Sequence, residues 1–382
     1  MKFIDWFAGI GGFRRGMELC GHECVGFCEF DKYAVMSYTS MHLITEDQRA
    51  YLATLDLKAR QKEILKEEYR NGEWYANDVR TVDARSLPDA DCWCFGFPCQ
   101  DISVAGKQLG FTGNRSSLFF RIMYLLGQLE EEKKPTYLFI ENVKNLLSVN
   151  GGWDFARLLT ELDRGGYDAE WQVLNSKYFG VPQNRERCFI IGHLRGRCTT
   201  EVLSNKKTDG TDNIRLIGNN TINIIGKTNM GHDCNGRIYA NNGISPCLNG
   251  IGNGGNHEPK IAIPVLTPDR AKKRQNGRRF KDNGEESFTL TSQDRHGVAI
   301  EIKPKEICGQ KSSSLESVWY EKAQCNIAVR RLTPKECFRL QGWQDDYFQK
   351  AAFVNSDSQL YKQAGNGVTV NVIKAIAERM EL

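Results

Sequence analysis

The sequence predicts an α/β protein: an open, doubly wound sheet with a second, smaller, irregular β-rich domain. Three observations carry this. Short apolar runs, Phe3-Ile4, Val25-Gly26-Phe27-Cys28, Cys92-Trp93-Cys94-Phe95 and Tyr137-Leu138-Phe139-Ile140, are separated by segments of helical pattern, as strand-helix-strand units require. Each run closes in a Gly/Pro or polar loop, and in open α/β sheets ligands bind beyond the carboxyl ends of the strands. From about residue 196 glycine, asparagine and threonine rise and the strand-like runs shorten.

Size and charge set the bounds. A chain of 382 residues exceeds a usual single core, and 40% hydrophobic content is enough to bury two. Thirteen cysteines with no secretory segment point to reduced thiols in a cytoplasmic protein. Asp5 and the following glycines break the first apolar run far short of signal-peptide or membrane length. The net charge is +4, but between Arg195 and Arg331 stand 22 Lys/Arg against 14 Asp/Glu. That surplus suits a face for phosphates.

In chain order, the first strand enters Phe7-Ala8-Gly9-Ile10-Gly11-Gly12, and Phe13, Met17 and Leu19 fit one helical face. Glycines at such a turn let a ligand approach the backbone. Glu29 directly follows the second strand, where an acid accepts the ribose hydroxyls of a nucleoside cofactor. Asp78, beside Val79, and the ring of Phe7 extend this pattern. Residues 44 to 75 read as a helical insertion, with Thr45 and Gln48 as a capping box.

Cys20-x3-Cys24-x3-Cys28, with His22 inside it, is read as packing cysteines rather than a metal cluster, because Cys20 ends a helix and Cys28 lies on a strand. Cys92-x-Cys94 is set aside too, its thiols assigned to opposite strand faces. No metal is expected. The fourth run closes in Gly96-Phe97-Pro98-Cys99-Gln100-Asp101, where Pro98 stiffens the turn carrying Cys99. Residues 116 to 132 read as a helix buried through Leu118, Phe119, Ile122, Leu125, Leu126 and Leu129. The fifth run ends in Glu141-Asn142-Val143. Gln183-Asn184-Arg185-Glu186-Arg187 leads into the apolar Cys188-Phe189-Ile190-Ile191-Gly192. A thiol, an acid and two arginines at strand ends can converge on one pocket.

Farther on, Arg270 to Lys281 holds seven cations, including Lys272, Lys273, Arg274, Arg278 and Arg279, and no acid. Arginine forks read guanine edges and lysines neutralise phosphate. Thr333 and Pro334 read as the N-cap and first residue of a helix. A last helix presents Val372, Ile373, Ile376 and Met380 after Gly365-Asn366-Gly367-Val368.

Phe7-Ala8-Gly9-Ile10-Gly11-Gly12, Gly96-Phe97-Pro98-Cys99-Gln100, Glu141-Asn142-Val143, Gln183-Asn184-Arg185-Glu186-Arg187 and Gly365-Asn366-Gly367-Val368 occur in the order and at about the spacing of the DNA (cytosine-5) methyltransferases of bacteria and phages. The chain resembles that family over residues 1 to about 195 and from about 329 to 382. The resemblance implies a Rossmann-like domain that depends on S-adenosylmethionine, made of 1–195 plus 356–382, with target recognition in 196–355. It implies Cys99 as nucleophile, Glu141 as the acid at ring nitrogen 3, and Arg185 and Arg187 as orienting groups, Arg187 being partly structural. The cofactor is expected at Phe7, Gly9, Gly11, Glu29, Asp78, Val79, Pro98, Leu118 and Asn366. Ser103, Lys107 and Gln108 fall on a loop that closes over DNA. Double-stranded DNA is the expected partner, a cognate restriction endonuclease would act separately, and a monomer is expected.

Two other readings share this catalytic body. A tRNA cytosine methyltransferase is disfavoured by the long basic region, and a noncatalytic DNA-binding protein by the presence of both nucleophile and acid. A methyltransferase for exocyclic amines would need an Asp/Asn-Pro-Pro-aromatic motif, which the chain lacks.

Overall fold

The computed structural model describes residues 1–97, 118–197, 201–203, 286–290 and 332–381, and, by backbone alone, six strands between 224 and 331. Among these residues the first sheet holds β1 (Lys2–Trp6), β2 (Glu23–Cys28), β3 (Trp74–Ala76), β4 (Cys92–Gly96), β5 (Tyr137–Val143), β6 (Tyr167–Asn175) and β7 (Glu186–Leu194). Their order is β3-β2-β1-β4-β5-β7-β6. The first five run parallel, and β7 is antiparallel to both its neighbours. Chain order reverses between β1 and β4, which places the ligand crevice above their carboxyl ends.

The helices are α1 (Gly12–Glu18), α2 (Lys32–Tyr38), α3 (Glu46–Ala53), α4 (Leu57–Glu63), α5 (Leu118–Gly127), α6 (Trp153–Arg164), α7 (Pro334–Leu340), α8 (Asp345–Ala352), α9 (Asp357–Asn366) and α10 (Val370–Ala377). They cover both faces of the sheet, which is why β4 and β5 read as unbroken apolar runs. On one face Trp93, Phe95, Leu138 and Ile140 share a core with Phe119 and Ile122 of α5 and with Leu158 and Leu162 of α6. On the other, Phe3, Cys94, Phe139 and Ile191 pack with Phe13 and Met17 of α1 and with Ile373 and Ile376 of α10. Each fully buried aliphatic or aromatic side chain contributes about 1.5–3 kcal/mol.

Three sequence expectations are corrected here. Leu19 lies past the end of α1 and is 41% exposed, so only Phe13 and Met17 hold that face. Cys92 and Cys94 share a face, their sulfurs 3.7 Å apart, because residues two apart on a strand point the same way. Of the helix expected over 116 to 132, the described part, from 118 on, is regular to Gly127, and a separate 3-10 turn occupies Glu131–Lys133. Of the other cysteines, the Cys20 thiol donates to Lys374 O and Cys24 lies 3.5 Å from the Tyr38 hydroxyl.

Between 44 and 75 the chain forms α3 and α4, the first opened by the Thr45–Gln48 capping box. Leu52, Ile64 and Tyr69 pack there with Met36 and Val354. The stretch then returns to the sheet as β3, an edge strand that periodicity does not reveal in three residues. The closure of the two chain ends is tight: a Cβ on Gly16 of α1 would stand 2.5 Å from Ile373 Cβ of α10.

The second sheet comprises β8 (Ile224–Lys227), β9 (Arg237–Tyr239), β10 (Lys260–Leu266), β11 (His296–Glu301), β12 (Glu316–Tyr320) and β13 (Cys325–Arg331), in the order β12-β13-β11-β10-β9-β8. Its neighbours are antiparallel except β9 and β10. After β13, Thr333 caps α7 with Glu336 completing the box, and Pro334 takes the first turn. Leu332, Phe338, Leu340 and Trp343 then pack with Ile10, Met41 and Val370 of the first unit. No helix among the described residues is long and apolar enough to cross a membrane.

Candidate active site

The sheet gathers the singled-out residues along one edge. The turn after β1 is wound through left-handed backbone at Phe7 (φ 52°), Gly9 (φ 56°) and Gly11 (φ 83°). Phe7 has a side chain in a region that disfavours one, so the surroundings must hold it there. They do so through Ala8 N–H to Cys28 O, Gly11 N–H to Ala8 O, and Gly9 N–H to a Glu29 carboxylate oxygen at 2.8 Å. Glu29 also accepts from Asp31 N–H at 2.7 Å. Burial raises its pKa above the ordinary 4.5, against the pull of those two N–H groups. A Cβ on Gly9 would meet nothing within 4 Å, so the turn faces open space.

Asp78 stands beyond β3 as the cap of a short 3-10 turn. Its carboxylate is held by the backbone and guanidinium of Arg80, with Arg80 Nη2 at 2.6 Å, and that pairing lowers its pKa. Val79 is buried, and its carbonyl accepts from Arg121 Nε. Leu118 is half-buried against the same apolar cluster as Val79 and Phe97. One residue not singled out by the sequence stands in this group. Phe30, next to Glu29, is a large aromatic left 68% exposed, and its only sequence signal is that it follows the acid.

At the end of β5, Glu141 forms an ion pair with Arg187 of β7, Nε to Oε1 at 3.0 Å. The other carboxylate oxygen lies over β4, where a Cβ on Gly96 would stand 3.1 Å from it. Gly96 precedes Cys99 by three residues. Asn142, also unassigned by sequence, is buried and donates to Phe97 O at 2.9 Å. It therefore fixes Phe97, the last described residue before Cys99.

The two arginines separate. Arg185 is buried and donates to Leu290 O at 2.9 Å and Gly367 O at 2.8 Å, while Arg187 alone carries the pair with Glu141. Burial, then the charge of Arg187, brings the Arg185 pKa down to about 9. Arg185 is thus a positioning group for the C-terminal end of α9 and its cap Gly367, where Gly365 and Asn366 are helical rather than part of a loop and Asn366 is exposed. That helix end meets the glycine loop, since a Cβ on Gly12 would stand 2.6 Å from Val368 Cγ2. Gln183 extends the junction, donating to Leu340 O and accepting from Leu290 N–H, and Gln341 donates to Ala364 O. Cys99, Pro98, Ser103, Lys107, Gln108, Lys272, Lys273, Arg274, Arg278 and Arg279 lie outside the described residues.

A model of the family "C-5 cytosine-specific DNA methylase" matches residues 1–65 and 51–382. The orphan methyltransferase M.SPRI of Bacillus phage SPR is 30% identical, with 100% of this chain and 97% of the relative covered. The type II methyltransferase M.HhaI of Haemophilus parahaemolyticus is 29% identical, over 99% of this chain and 93% of its own. Among solved structures, the S. pombe Dnmt2 methyltransferase shares the fold at a TM-score of 0.54 and 14% identity, covering 99% of this chain and 97% of that one. The Glu141–Arg187 pair and the glycine turn are thus set in a sequence matched from end to end, and the chain belongs to the C-5 cytosine-specific DNA methylases, as a DNA (cytosine-5) methyltransferase.

Proposed function

We propose that this enzyme transfers a methyl group from S-adenosylmethionine to carbon 5 of a cytosine flipped out of a short duplex sequence, through a covalent adduct with Cys99. The observation that carries this is the Glu141–Arg187 pair, leaning over Gly96, three residues before Cys99.

The residues beyond β1, β2 and β3 fit the cofactor. Gly9 leaves open space before a turn whose N–H is tied to Glu29. Glu29 would accept the ribose hydroxyls, Phe30 and Phe7 would cover the adenine, and Asp78 with Val79 would meet its edge. Asp78 must then share its oxygens with Arg80. Leu118 and Pro98 would line the pocket, and the end of α9 at Asn366 would close it beside Gly11. When bound, S-adenosylmethionine supplies an electrophilic methyl group.

Carbon 5 of cytosine is too weak a nucleophile to accept that group unaided. A Cys99 thiolate forming a bond to carbon 6 makes the ring electron-rich. A free thiol titrates at about 8.5, so neighbouring cations are needed to favour the thiolate. Glu141, carrying or sharing a proton, donates to ring nitrogen 3 and steadies the charge that develops there, held in place by Arg187. After carbon 5 is methylated, loss of its proton to a base such as water expels Cys99 and restores the ring. The cytosine must leave the stack first, at about a few kcal/mol. Gln108 would occupy the gap left behind, Ser103 and Lys107 would hold phosphate, and the basic run with Lys272, Lys273, Arg274, Arg278 and Arg279 would anchor the duplex. Target recognition would fall within 196–355. The enzyme acts as a monomer on this reading, and a restriction nuclease would be a separate chain.

Transfer of labelled methyl groups to plasmid DNA and to tRNA, with bisulfite sequencing of the DNA, tests the reading. 5-Methylcytosine at one short motif is expected. Label on tRNA alone would replace the DNA reading with the tRNA one.

The state of Glu29 gives a second expected result. Its carboxyl pKa is raised by burial, so the ionised acceptor is lost as pH falls through a value above the ordinary 4.5. S-adenosylhomocysteine affinity should therefore start to fall at a higher pH than an unperturbed glutamate would give. Glu29→Gln should bind about tenfold or more weakly at pH 7, with a flatter pH profile. The folded protein holds that proton more tightly than the unfolded chain, so ionisation of Glu29 at neutral pH subtracts from stability, and the variant should be no less stable. Titration calorimetry across the acid range checks both.

A further inference from the structure

We propose that His42 is a positioning residue for the cofactor: its ring sets the Ile10–Gly11 half of the glycine turn from the side that the sheet does not reach. This rests on the cofactor reading above and adds a residue to it. His42 Nε2 lies 3.0 Å from Ile10 O. A carbonyl only accepts, so Nε2 carries the proton and donates. The bond falls inside the turn whose other tethers, at Ala8, Gly9 and Gly11, come from the sheet or from the turn itself.

The ring also occupies the space a side chain at position 11 would need. A Cβ on Gly11 would stand 2.5 Å from His42 Nε2. Gly11 is therefore required twice, by its φ of 83° and by the imidazole above it. The ring is in turn held by aromatics, Tyr38 at 5.0 Å, Tyr347 at 5.5 Å and Trp343 at 6.0 Å between centroids. It stays neutral because burial, then Arg14, opposes its charging. A protonated ring could make the same bond, but a charge enclosed beside Arg14 and Arg15 is disfavoured.

What puts His42 there is a single π-turn, Thr39–Leu43, that continues α2 and is closed by Ile44 N–H to Thr39 O. One extra residue in the turn rotates the following side chains, a feature that often accompanies functional sites. Tyr347 is also stacked by the Arg15 guanidinium at 4.6 Å, and Arg15 donates to the side-chain oxygen Oε1 of Gln344. The same ring thereby ties the turn to α8, which follows the second sheet in the chain.

His42→Phe keeps a ring among the aromatics and removes the donor. His42→Gln places an amide N–H near the position of Nε2. The wild type, both variants and Glu29→Gln are compared for S-adenosylhomocysteine binding by calorimetry, for duplex DNA binding without cofactor, and for thermal midpoint. S-adenosylhomocysteine affinity about three- to tenfold weaker in His42→Phe, with DNA affinity unchanged and most of the loss recovered in His42→Gln, is expected. Wild-type affinity in His42→Phe overturns the proposal. Equal loss in both variants with a fall in thermal midpoint also overturns it, since packing would then explain everything. Binding unaffected by Glu29→Gln would remove the cofactor site itself, and with it the role of His42.

Discussion

Cys99→Ser is expected to lose methyl transfer by at least about a thousandfold, while S-adenosylhomocysteine and duplex DNA still bind. The hydroxyl has the right reach and the wrong chemistry: it is far less acidic than a thiol and its oxygen is a harder, poorer nucleophile toward carbon 6. Single-turnover transfer from labelled S-adenosylmethionine reads the rate. DNA carrying 5-fluorocytosine reads the adduct, because a carbon 5 that bears fluorine has no proton to lose and Cys99 cannot be expelled. A band joining protein and DNA on a denaturing gel should appear with the wild type and vanish with the variant. Undiminished transfer by Cys99→Ser would move the nucleophile elsewhere.

Glu141→Gln should lower kcat by about a hundred- to a thousandfold with little change in the KM for DNA. The substitution keeps the volume between β4 and β5 but ends the 3.0 Å ion pair with Arg187. It also removes the carboxyl group that, among the described residues at that strand end, would hold or share a proton with the ring. A loss confined to KM would make Glu141 a binding residue rather than one that acts on the reacting ring.

Strand ends were legible in the sequence. Gly9, Glu29 and Glu141 each follow a short apolar run, and an open parallel sheet delivers every such end to one edge. Capping was equally local, and Thr45 and Thr333 stand where their patterns require. What was hidden depends on partners far along the chain. Arg185 bonds to Leu290 and Gly367 rather than to Glu141, and no periodicity records a contact across more than a hundred residues. Asn142 reaches Phe97 from a neighbouring strand, a choice made by strand order rather than by local pattern. The shared face of Cys92 and Cys94 was misassigned, although the period of two puts residues i and i+2 on one side of a strand. β3 was not, because three residues make too short an alternation to recognise.

The seating of Ile373 against Gly16 also sets a timetable. α1 is among the first elements to leave the ribosome, whereas α10 and the end of α9 held by Arg185 are among the last of the residues described. Until residue 367 emerges, Arg185 has no Gly367 carbonyl to hold, and one face of the central sheet lacks its last helix. A nascent or truncated chain therefore carries β1–β7 without the C-terminal residues that hold Arg185 and pack against α1. A chain stopped before residue 367 is therefore expected to transfer methyl groups far less well than the full-length protein, which a truncation series assayed for labelled methyl transfer would show.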